Sequence, residues 1–535
     1  MAEEIARNRN ASRAGMGLRE PRSPIYGSHA MIVSGHGLAS QAGIAVHRRG
    51  GNTIDAMIAA SAALTVVLGH ATSIGGDCFM LYHDAASGRI MGLNSSGYAP
   101  QGATPEHFRG GMKAQGPLAP VVPGLVAAWE TMHRRFGKLP WRELFIDAIA
   151  LAEAHPISAV LARNIALSRA TLEKDPGCAA LYLPGGKPLV AGDTLRQPEL
   201  AASLRQIAEG GAEPFYRGAI AKRIDAFFTE RGGLMRASDL ASFAPLWVEP
   251  ASTLYRGHRV SVMPPNSYGM LLLMQLNGLK ALERGALTAD PARRIGHQMS
   301  AMKAAFANGL PLIADPKAVP EAIDRLLAPD MTERLQRAVL GEAPSPAIRD
   351  RSGTSCLLVA DESGNAICVV QSVFAVFGSY CRDPATGILF NNRMSGFTAT
   401  PGEANTVAPG KRPAHTLCPI MVQRDGRLRY VLASPGGLSQ TVTNTQVLGR
   451  LIDDGVDVAA AVEAPRWCNH THGSDLLLER ELPEAFIPVL TAMGHKARHA
   501  EDPFYYGSAK AIEILPSGNF TGAGDHRREA FALGY

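Results

Sequence analysis

Apolar and polar positions alternate with one spacing in the first two thirds of the chain and with a different spacing in the last third. Between Pro123 and Pro329 the apolar side chains recur at helical spacing, interrupted by Gly and Pro, as in LVAAWETMHRRFG. Upstream, the Ala-rich run from Thr53 to Leu68 contains neither Gly nor Pro and predicts a largely buried helix that ends at Gly69. The middle of the chain is therefore predicted to be mainly helical.

After Thr354 the pattern becomes that of β-strands. TSCLLVA, the turn DESGN and AICVVQSVF together predict a hairpin with apolar residues on both arms. PIMVQ and RLRYVLAS predict a second hairpin, with Asp425 and Gly426 at its turn. A tight SPGG bend at residues 434–437 then leads into a predicted helix over residues 439–451. Strands and helices in this order predict an α+β fold built in layers.

Two segments are predicted to be irregular. Residues 344–353 (PSPAIRDRSG) are the best candidate for an exposed linker, because Pro, Ser and charged residues replace the apolar pattern. Residues 1–25 are polar and charged, which predicts a loose arm. That arm lacks the apolar core of a secretory signal, and no apolar stretch is long enough to span a bilayer, so a cytoplasmic location without a membrane partner is expected.

The composition of the 535-residue chain narrows its class. Hydrophobic residues make up 46% and charged residues 19%, which is ordinary for a globular protein that folds nearly throughout. The formal net charge is only +5, and Lys and Arg are scattered rather than clustered, so a nucleic-acid partner is not expected. A slightly basic surface favours an anionic small substrate.

Cysteine and histidine positions give no signal for a metal or cofactor, and none is predicted. The seven cysteines form no CxxC pair and no regular spacing, so neither a disulfide framework nor a structural zinc site is expected. The pairs His470/His472 and His495/His499 have a spacing that suits a metal, but each lacks a third ligand, so a structural role is favoured. The sequence contains no P-loop, GxGxxG or GxSxG pattern.

A Gly353-Thr354 junction stands where the predicted linker meets the first predicted strand. Glycine lets the backbone approach closely, and the threonine hydroxyl can then attack the preceding carbonyl and cut the chain. The α-amine released by the cut can serve as general base for the same hydroxyl. Most Gly-Thr pairs are simple turn-to-strand junctions, so the pair alone leaves both interpretations open.

Several motifs together resemble the γ-glutamyltransferase superfamily of N-terminal-nucleophile hydrolases. TSCLLVADESGNAICVVQSVFAVFG, from Thr354, is similar to the start of the family's small subunit, and GILFNN, RPAHTLCP and SPGG follow in the family's order. GGNTIDAMIAA, TSIGGDCFMLYH, VPGLVAAW, FGKLPW, FYRG and DLASF continue the likeness upstream, and GAGDHRREAFALGY extends it to residue 535. The resemblance covers nearly all of the chain from residue 27 onward.

The resemblance implies a fold and a maturation step. The fold is the four-layer αββα sandwich of these hydrolases, which is an α+β arrangement. The chain is implied to be a proenzyme that cuts itself into a large subunit, residues 1–353, and a small subunit, residues 354–535, which remain one intertwined domain. The two subunits are thus each other's partners, a small-molecule amide is the implied substrate, and a higher homo-oligomer is compatible with the resemblance.

Four residues match catalytic positions of the family. Thr354 matches the nucleophile, and Ser372 stands where the family has a Thr whose hydroxyl orients it. Gly436 and Gly437 match the glycines whose backbone N–H groups form the oxyanion hole. The implied reaction is amide hydrolysis through an acyl-enzyme at the threonine. Cys356 replaces a His of the signature and is expected to pack within its strand.

The substrate-binding positions depart from the family. The predicted pocket residues are Ser96, Phe374, Asn392, Arg393, His415 and Thr416. Ser96 replaces the Arg that binds a substrate α-carboxylate, while Arg393 and Gly396 replace a Gln and an Asp that bind its ammonium. A substrate ammonium beside an Arg is repelled, and in a pocket of low dielectric the penalty is on the order of several kcal/mol. Glutathione is therefore expected to be a poor substrate.

A pocket with Arg393, His415 and Thr416 but no acid suits a substrate that carries a carboxylate and no α-ammonium. Small monoamides of diacids, such as oxamate, fit this description, and the likeness is to the oxamate amidohydrolase branch of the superfamily; glutaryl amides fit as well. An Arg393 turned into solvent, or paired with Asp383 or Glu403, would remove that argument. Two further hypotheses stay open: a true γ-glutamyl hydrolase or transferase with a rebuilt anchor, and an uncleaved, inactive homologue.

Overall fold

A computed structural model describes residues 22–341, 353–469, 475–500 and 506–535. Most of the predicted arm, the predicted linker up to residue 352, and the pair His470/His472 lie outside these residues. Among the described residues, no helix combines the length and apolar character needed to cross a bilayer.

Strands and helices alternate along the whole chain. The strands are β1 (Ile25–Gly27), β2 (Ala30–Ser34), β3 (Asp77–Asp84), β4 (Arg89–Ser95), β5 (His155–Pro156), β6 (Thr194–Leu195), β7 (Leu246–Val248), β8 (Ala251–Tyr255), β9 (His258–Val262), β10 (Gly353–Asp361), β11 (Ala366–Phe374), β12 (Ile420–Arg424), β13 (Arg427–Ala433), β14 (Trp467–Asn469), β15 (Asp475–Leu478), β16 (Lys496–His499), β17 (Lys510–Ile514), β18 (Phe520–Gly524) and β19 (Phe531–Gly534).

The helices fall mainly between β4 and β10. They are α1 (Gly37–Arg48), α2 (Thr53–Val67), α3 (Leu125–Phe136), α4 (Ile146–Glu153), α5 (Ala159–Leu172), α6 (Pro176–Tyr182), α7 (Pro198–Gly210), α8 (Glu213–Tyr216), α9 (Ala219–Glu230), α10 (Ala237–Ala241), α11 (Gly269–Leu279), α12 (Arg284–Ala289), α13 (Pro291–Gly309), α14 (Ala322–Leu326), α15 (Pro329–Val339), α16 (Ser439–Gly449), α17 (Val458–Glu463) and α18 (Phe486–Ala492).

Two seven-stranded sheets form the centre of the molecule. Sheet 1 has the strand order β19-β2-β10-β11-β3-β4-β7, and sheet 2 has the order β1-β18-β17-β13-β12-β9-β8. Strand β10 lies in the middle of sheet 1 and is hydrogen-bonded to β2 on one side and to β11 on the other. Each sheet therefore combines strands from before and after residue 353.

Each sheet has two apolar faces. One buried cluster joins the facing sides of the sheets, with Cys356 and Val370 from sheet 1 and Val431 and Ile512 from sheet 2. A second cluster joins the opposite side of sheet 1 to helices that include α1 and α2, and a third joins the opposite side of sheet 2 to helices that include α11 and α13. Because side chains alternate along a strand, both faces of these strands must be apolar, as observed.

Most of the predicted elements are confirmed. The helix expected from Thr53 spans Thr53–Val67, is buried on every side, and begins with a capping box formed by Asn52 and Asp55. Both predicted hairpins are present, as β10–β11 and β12–β13. The α+β class is confirmed by this mixture of helices and sheets, and Cys356 is fully buried in β10, as expected.

Two predictions of secondary structure need correction. The mainly helical middle region also contains β7, β8 and β9, short strands whose polar and apolar residues alternate too briefly to stand out from the surrounding helical pattern. The helix predicted to end at Leu451 ends at Gly449, and residues 450–454 continue as a wider π-helical turn.

Candidate active site

Thr354 is the second residue of β10, and its side chain is only 3% exposed. Its Oγ1 lies 3.0 Å from the Oγ of Ser372 on β11. Both hydroxyls are within hydrogen-bond distance of the Gly353 carbonyl oxygen, at 2.8 Å for Thr354 and 2.7 Å for Ser372. The predicted nucleophile, the hydroxyl predicted to orient it and the carbonyl predicted to be cut therefore meet at one point.

The β10–β11 hairpin produces this meeting. The pairing of β10 with β11 shifts register between Gly353 and Ser355, so the regular ladder is interrupted beside Thr354. The backbone N–H of Phe374 donates to Ser372 Oγ at 2.7 Å, which fixes the orientation of that hydroxyl. Such irregularities often direct a side chain at the edge of a sheet toward a functional site.

Gly353 lies in a position that leaves no room for a side chain. A Cβ built at this residue would come within 2.9 Å of the His70 carbonyl oxygen and 3.0 Å of the Ala375 carbonyl oxygen. Both contacts are with backbone atoms, which cannot move aside without disturbing two neighbouring segments. The requirement for glycine before Thr354 thus has a steric cause.

The SPGG bend follows directly after β13. Gly436 and Gly437 have φ values of +140° and +57°, in the region that favours glycine. Among the described residues, the N–H of neither glycine donates a hydrogen bond to another group of the protein. Two adjacent donors without a protein acceptor are what a bound oxyanion requires.

The SPGG bend and Thr354 lie at the same end of the two facing sheets. Ala433, the last residue of β13, is paired with Lys510 on β17. Ala433 also belongs to the same buried cluster between the sheets as Cys356, which is two residues after Thr354. These contacts place the first residues of β10 near the end of β13.

Arg393 begins a short 3-10 turn, Arg393–Gly396, and its side chain is fully buried. Its guanidinium lies over the ring of Phe374, with 4.3 Å between the guanidinium carbon and the ring centroid. One nitrogen, Nη2, is 3.3 Å from Oδ1 of Asp77, and Nη1 is 3.5 Å from Oγ1 of Thr416. The predicted pocket residues Phe374, Arg393 and Thr416 are thus brought together.

His415 contacts the same carboxylate. Its Nε2 is 2.8 Å from Oδ2 of Asp77, and its Nδ1 accepts a hydrogen bond from the N–H of Leu417 at 3.4 Å. Nε2 therefore carries the proton and donates to Asp77. Burial is the main cause that lowers the pKa of His415, Arg393 acts in the same direction and Asp77 opposes both. The resulting pKa of about 4 leaves the ring neutral near pH 7.

The expectation that this pocket contains no acid is wrong, because Asp77 lies between Arg393 and His415. Burial alone would raise the pKa of Asp77, but the Arg393 guanidinium and His415 outweigh it and hold that pKa well below its usual range. Arg393 does not turn into solvent. Nor does it pair with Asp383, which binds Arg223 at 3.0 Å instead, or with Glu403.

Two other predicted pocket residues are occupied by internal hydrogen bonds. The Ser96 hydroxyl donates to Asn94 at 2.7 Å and accepts from Asn266 at 3.2 Å, in a fully buried polar cluster. The Asn392 side chain accepts from the N–H of Ala375 and donates to the carbonyl of Ala114. Ser96 thus lies in a network of side chains, and Asn392 connects two backbone segments; their assignment as substrate-binding residues stays a prediction.

Sequence reasoning missed the role of Asp77. The residue was visible in TSIGGDCFMLYH, where a single carboxylate opens a strand that is otherwise almost entirely apolar. A charged residue in such a strand is rarely buried without a partner. The lone carboxylate at the start of an apolar strand is therefore the signal that could have indicated a buried cation from elsewhere in the chain.

The remaining candidate sites have structural contacts. His495 Nε2 donates to the Gly296 carbonyl at 3.0 Å, and its Nδ1 accepts from Lys303 Nζ at 3.2 Å. His499 Nδ1 donates to the Glu479 carbonyl at 3.1 Å. No group of three or more metal-binding side chains occurs within the described parts of the chain. All seven cysteines are buried thiols.

The fold is that of amide hydrolases of the N-terminal-nucleophile class. The sequence profile of the family described as Gamma-glutamyltranspeptidase matches residues 39–535, which is most of the chain. The chain belongs to this family.

Known proteins of the family align over almost their whole length. The Acylase ACY 1 proenzyme of Pseudomonas sp. (strain V22) is 34% identical, over 94% of this chain and 93% of its own. The oxamate amidohydrolase proenzyme of Klebsiella pneumoniae subsp. pneumoniae is 32% identical, over 95% and 99%. The crystal structure of cephalosporin acylase from Bacillus halodurans superimposes with a TM-score of 0.89 at 31% identity, covering 97% of this chain and 98% of that one.

Proposed function

We propose that this protein is made as a proenzyme, cuts itself before Thr354, and then uses Thr354 as the N-terminal nucleophile of an amide hydrolase. The observation that carries the proposal is the meeting of the Thr354 and Ser372 hydroxyls at the Gly353 carbonyl. The proenzyme names of its relatives support the maturation step. The fold belonging to this function is the four-layer αββα sandwich, supported by the three apolar clusters between and outside the sheets.

The maturation step is an acyl shift within the chain. The Thr354 hydroxyl oxygen adds to the Gly353 carbonyl carbon, the C–N bond to Thr354 breaks, and the hydroxyl proton passes to the departing nitrogen. Water then hydrolyses the resulting ester and leaves a free carboxyl at Gly353 and a free α-amine at Thr354. Ser372, with its hydroxyl 2.7 Å from the same carbonyl oxygen, stabilises the negative charge that develops there.

The catalytic cycle repeats this chemistry on a small amide. The α-amine of Thr354 takes the hydroxyl proton as the oxygen attacks the substrate carbonyl, and the N–H groups of Gly436 and Gly437 bind the oxyanion. The leaving amine departs with a proton, and water hydrolyses the acyl-enzyme. Each step forms one bond to the carbonyl carbon and breaks one, and needs no cofactor.

The proposed substrate is a small amide whose acyl part carries a carboxylate, such as a monoamide of a short diacid. The γ-glutamyl anchors of the family are replaced here, and the relatives named as an acylase and an oxamate amidohydrolase are compatible with another acyl group. Arg393 is the cation proposed to attract the carboxylate. Its guanidinium has five N–H donors, and it can therefore bind a substrate carboxylate while it remains paired with Asp77.

A denaturing gel of the purified protein tests the maturation step. Fragments covering residues 1–353 and 354–535, with Thr354 identified as an N-terminal residue, are expected. A single chain of 56.7 kDa would favour an uncleaved, inactive homologue instead.

Replacing Gly353 by alanine is expected to slow self-cleavage by roughly tenfold to a hundredfold, because the added Cβ meets two backbone carbonyls. Overpacking of this kind costs about 1–3 kcal/mol. Here the added Cβ displaces the Gly353 carbonyl from the attacking hydroxyl, so the cost raises the barrier to cleavage. The rate is followed on gels after synthesis of the uncut chain. Gly285→Ala is the matched control, since a Cβ there meets nothing within 4 Å. Wild-type cleavage kinetics in Gly353→Ala would contradict the steric argument.

Replacing Arg393 by alanine is expected to raise the KM for glutaric acid monoamide roughly tenfold to a hundredfold, the value of a charge-assisted contact. The KM for glutaramide, which has the same length but no carboxylate, should change much less. Steady-state kinetics on the two amides provide the measurement.

A γ-glutamyl anilide is the control substrate for the wild type, which should turn it over slowly because the Asp77 carboxylate, already paired with Arg393 and His415, is not available to its ammonium. If the wild type prefers the anilide, and Arg393→Ala affects both glutaric amides alike, the carboxylated-amide proposal is wrong. A rebuilt γ-glutamyl anchor would then be the better explanation.

A further inference from the structure

Asp77 stands in one row with the candidate catalytic hydroxyls. It is the first residue of β3 and is paired directly with Ser372 on β11, whose Oγ lies 3.0 Å from Thr354 Oγ1. The three residues thus occupy three adjacent strands of sheet 1. Asp77 is fully buried and lies one strand away from the proposed reaction.

The Asp77 carboxylate is the common partner of two pocket side chains. Oδ1 is 3.3 Å from Arg393 Nη2, and Oδ2 is 2.8 Å from His415 Nε2. The N–H of Gly97 adds a longer contact to Oδ2, at 3.4 Å. All three side chains are fully buried, so none of these charges is screened by water.

Among the described residues, the two ionised groups of this cluster carry opposite charges. Asp77 is anionic and Arg393 is cationic, while His415 is neutral near pH 7 for the reasons given above. The carboxylate of Asp315 lies beside the next cation, Arg412, whose backbone N–H donates to it at 2.7 Å. The guanidinium that faces the proposed acyl pocket therefore acts there with only part of its charge.

We propose that Asp77 is a positioning residue that sets the charge selectivity of the acyl pocket. By pairing with Arg393, it orients the guanidinium over Phe374 and weakens its attraction for anions, so that the enzyme accepts uncharged as well as carboxylated acyl groups. This inference rests on the proposed hydrolysis at Thr354. It predicts that removing the Asp77 charge strengthens binding of carboxylated substrates, which a loss of structural support alone would not do.

The test is a charge series at positions 77 and 393. In Asp77→Asn the shape is kept, and the amide oxygen can still accept from His415 while the NH₂ group faces Arg393. The ratio of kcat/KM for glutaric acid monoamide to that for glutaramide should then rise about tenfold or more, through KM. Arg393→Gln should lower the same ratio by a similar factor, because Asp77 is left without its cation. The double variant Asp77→Asn/Arg393→Gln should return the ratio to within a few-fold of wild type.

The outcomes distinguish this role from simple support of the fold. If Asp77→Asn lowers kcat/KM for both amides equally and leaves their ratio within twofold of wild type, the proposal is overturned. If Asp77→Asn does not fold, the comparison of Arg393→Gln with the double variant decides, because the double variant removes both members of the buried ion pair. Failure of the second substitution to restore the ratio would then overturn the proposal.

Binding measurements test the role of Asp77 independently of whether Thr354 hydrolyses amides. Glutarate should raise the Tm of Asp77→Asn more than that of wild type, whereas glutaramide should affect both equally. This result supports the role of Asp77 even if no variant hydrolyses either amide, in which case the proposed function fails alone. Equal shifts by glutarate in both proteins would overturn the inference even if hydrolysis at Thr354 is confirmed.

Discussion

Thr354→Ala is expected to give a single uncut chain of 56.7 kDa without amide hydrolase activity. The substitution removes the one hydroxyl that attacks first the Gly353 carbonyl and later the substrate. Loss of a nucleophile reduces turnover on the order of 10⁴-fold or more in comparable hydrolases. The fold should remain, because only a hydroxyl and a methyl group are removed at the edge of the inter-sheet layer. Gel analysis and amide hydrolysis, measured on the same preparation, check both parts.

Thr354→Ser is the matched variant, since it keeps the hydroxyl and, after cleavage, the α-amine. It should cut itself and hydrolyse the amide at reduced rates. Recovery of mature, active enzyme from Thr354→Ala would rule out Thr354 as the nucleophile of either reaction. An inactive but fully cleaved Thr354→Ser would separate the two reactions and limit Thr354 to the first.

Gly437→Val is expected to lower kcat by on the order of a hundredfold or more, the usual cost of losing one oxyanion donor. The φ of +57° is poorly accessible to a β-branched residue, so the N–H should turn away from the oxyanion. Processing of the chain is checked first on a gel, and kcat is then measured on the mature fraction.

Backbone strain elsewhere in the protein provides the control. Gly426, in the β12–β13 turn, has φ +75° and a Cβ there meets nothing within 4 Å, so Gly426→Val carries similar strain, about 1–3 kcal/mol, away from the site. Its kcat should stay near that of wild type. Unchanged turnover in a correctly processed Gly437→Val would mean that the oxyanion is bound elsewhere.

The local geometry around Thr354 followed from the sequence because it depends on one hairpin. The apolar arms on either side of DESGN set the pairing of β10 with β11, and that pairing brings Ser372 beside Thr354. Short-range pairing of this kind is fixed by alternation and turn residues. The family resemblance then supplied the chemical roles, which remain predictions.

The charge balance of the pocket did not follow from the sequence, because it depends on residues far apart in the chain. Arg393 is separated from Asp77 by 316 positions, whereas Asp383 and Glu403 are acids much nearer to it in the chain. The local sequence pattern of a strand does not determine which other strands lie beside it in the sheet. Only the order β10-β11-β3 brings Asp77 next to Ser372 and so to the pocket.

The central place of β10 in sheet 1 changes how the molecule recovers from denaturation. In sheet 1, strands β2 and β3 belong to the part of the chain before the proposed cut. Strand β11 and β10 from Thr354 onward belong to the part after it. An uncut chain reassembles this sheet within one molecule, at a rate that does not depend on concentration. Once the chain is cut, the same ladders must form between two separate polypeptides, so refolding becomes a second-order encounter governed by mass action. The proposed maturation would thus replace a folding reaction that is independent of concentration by one that dilution opposes.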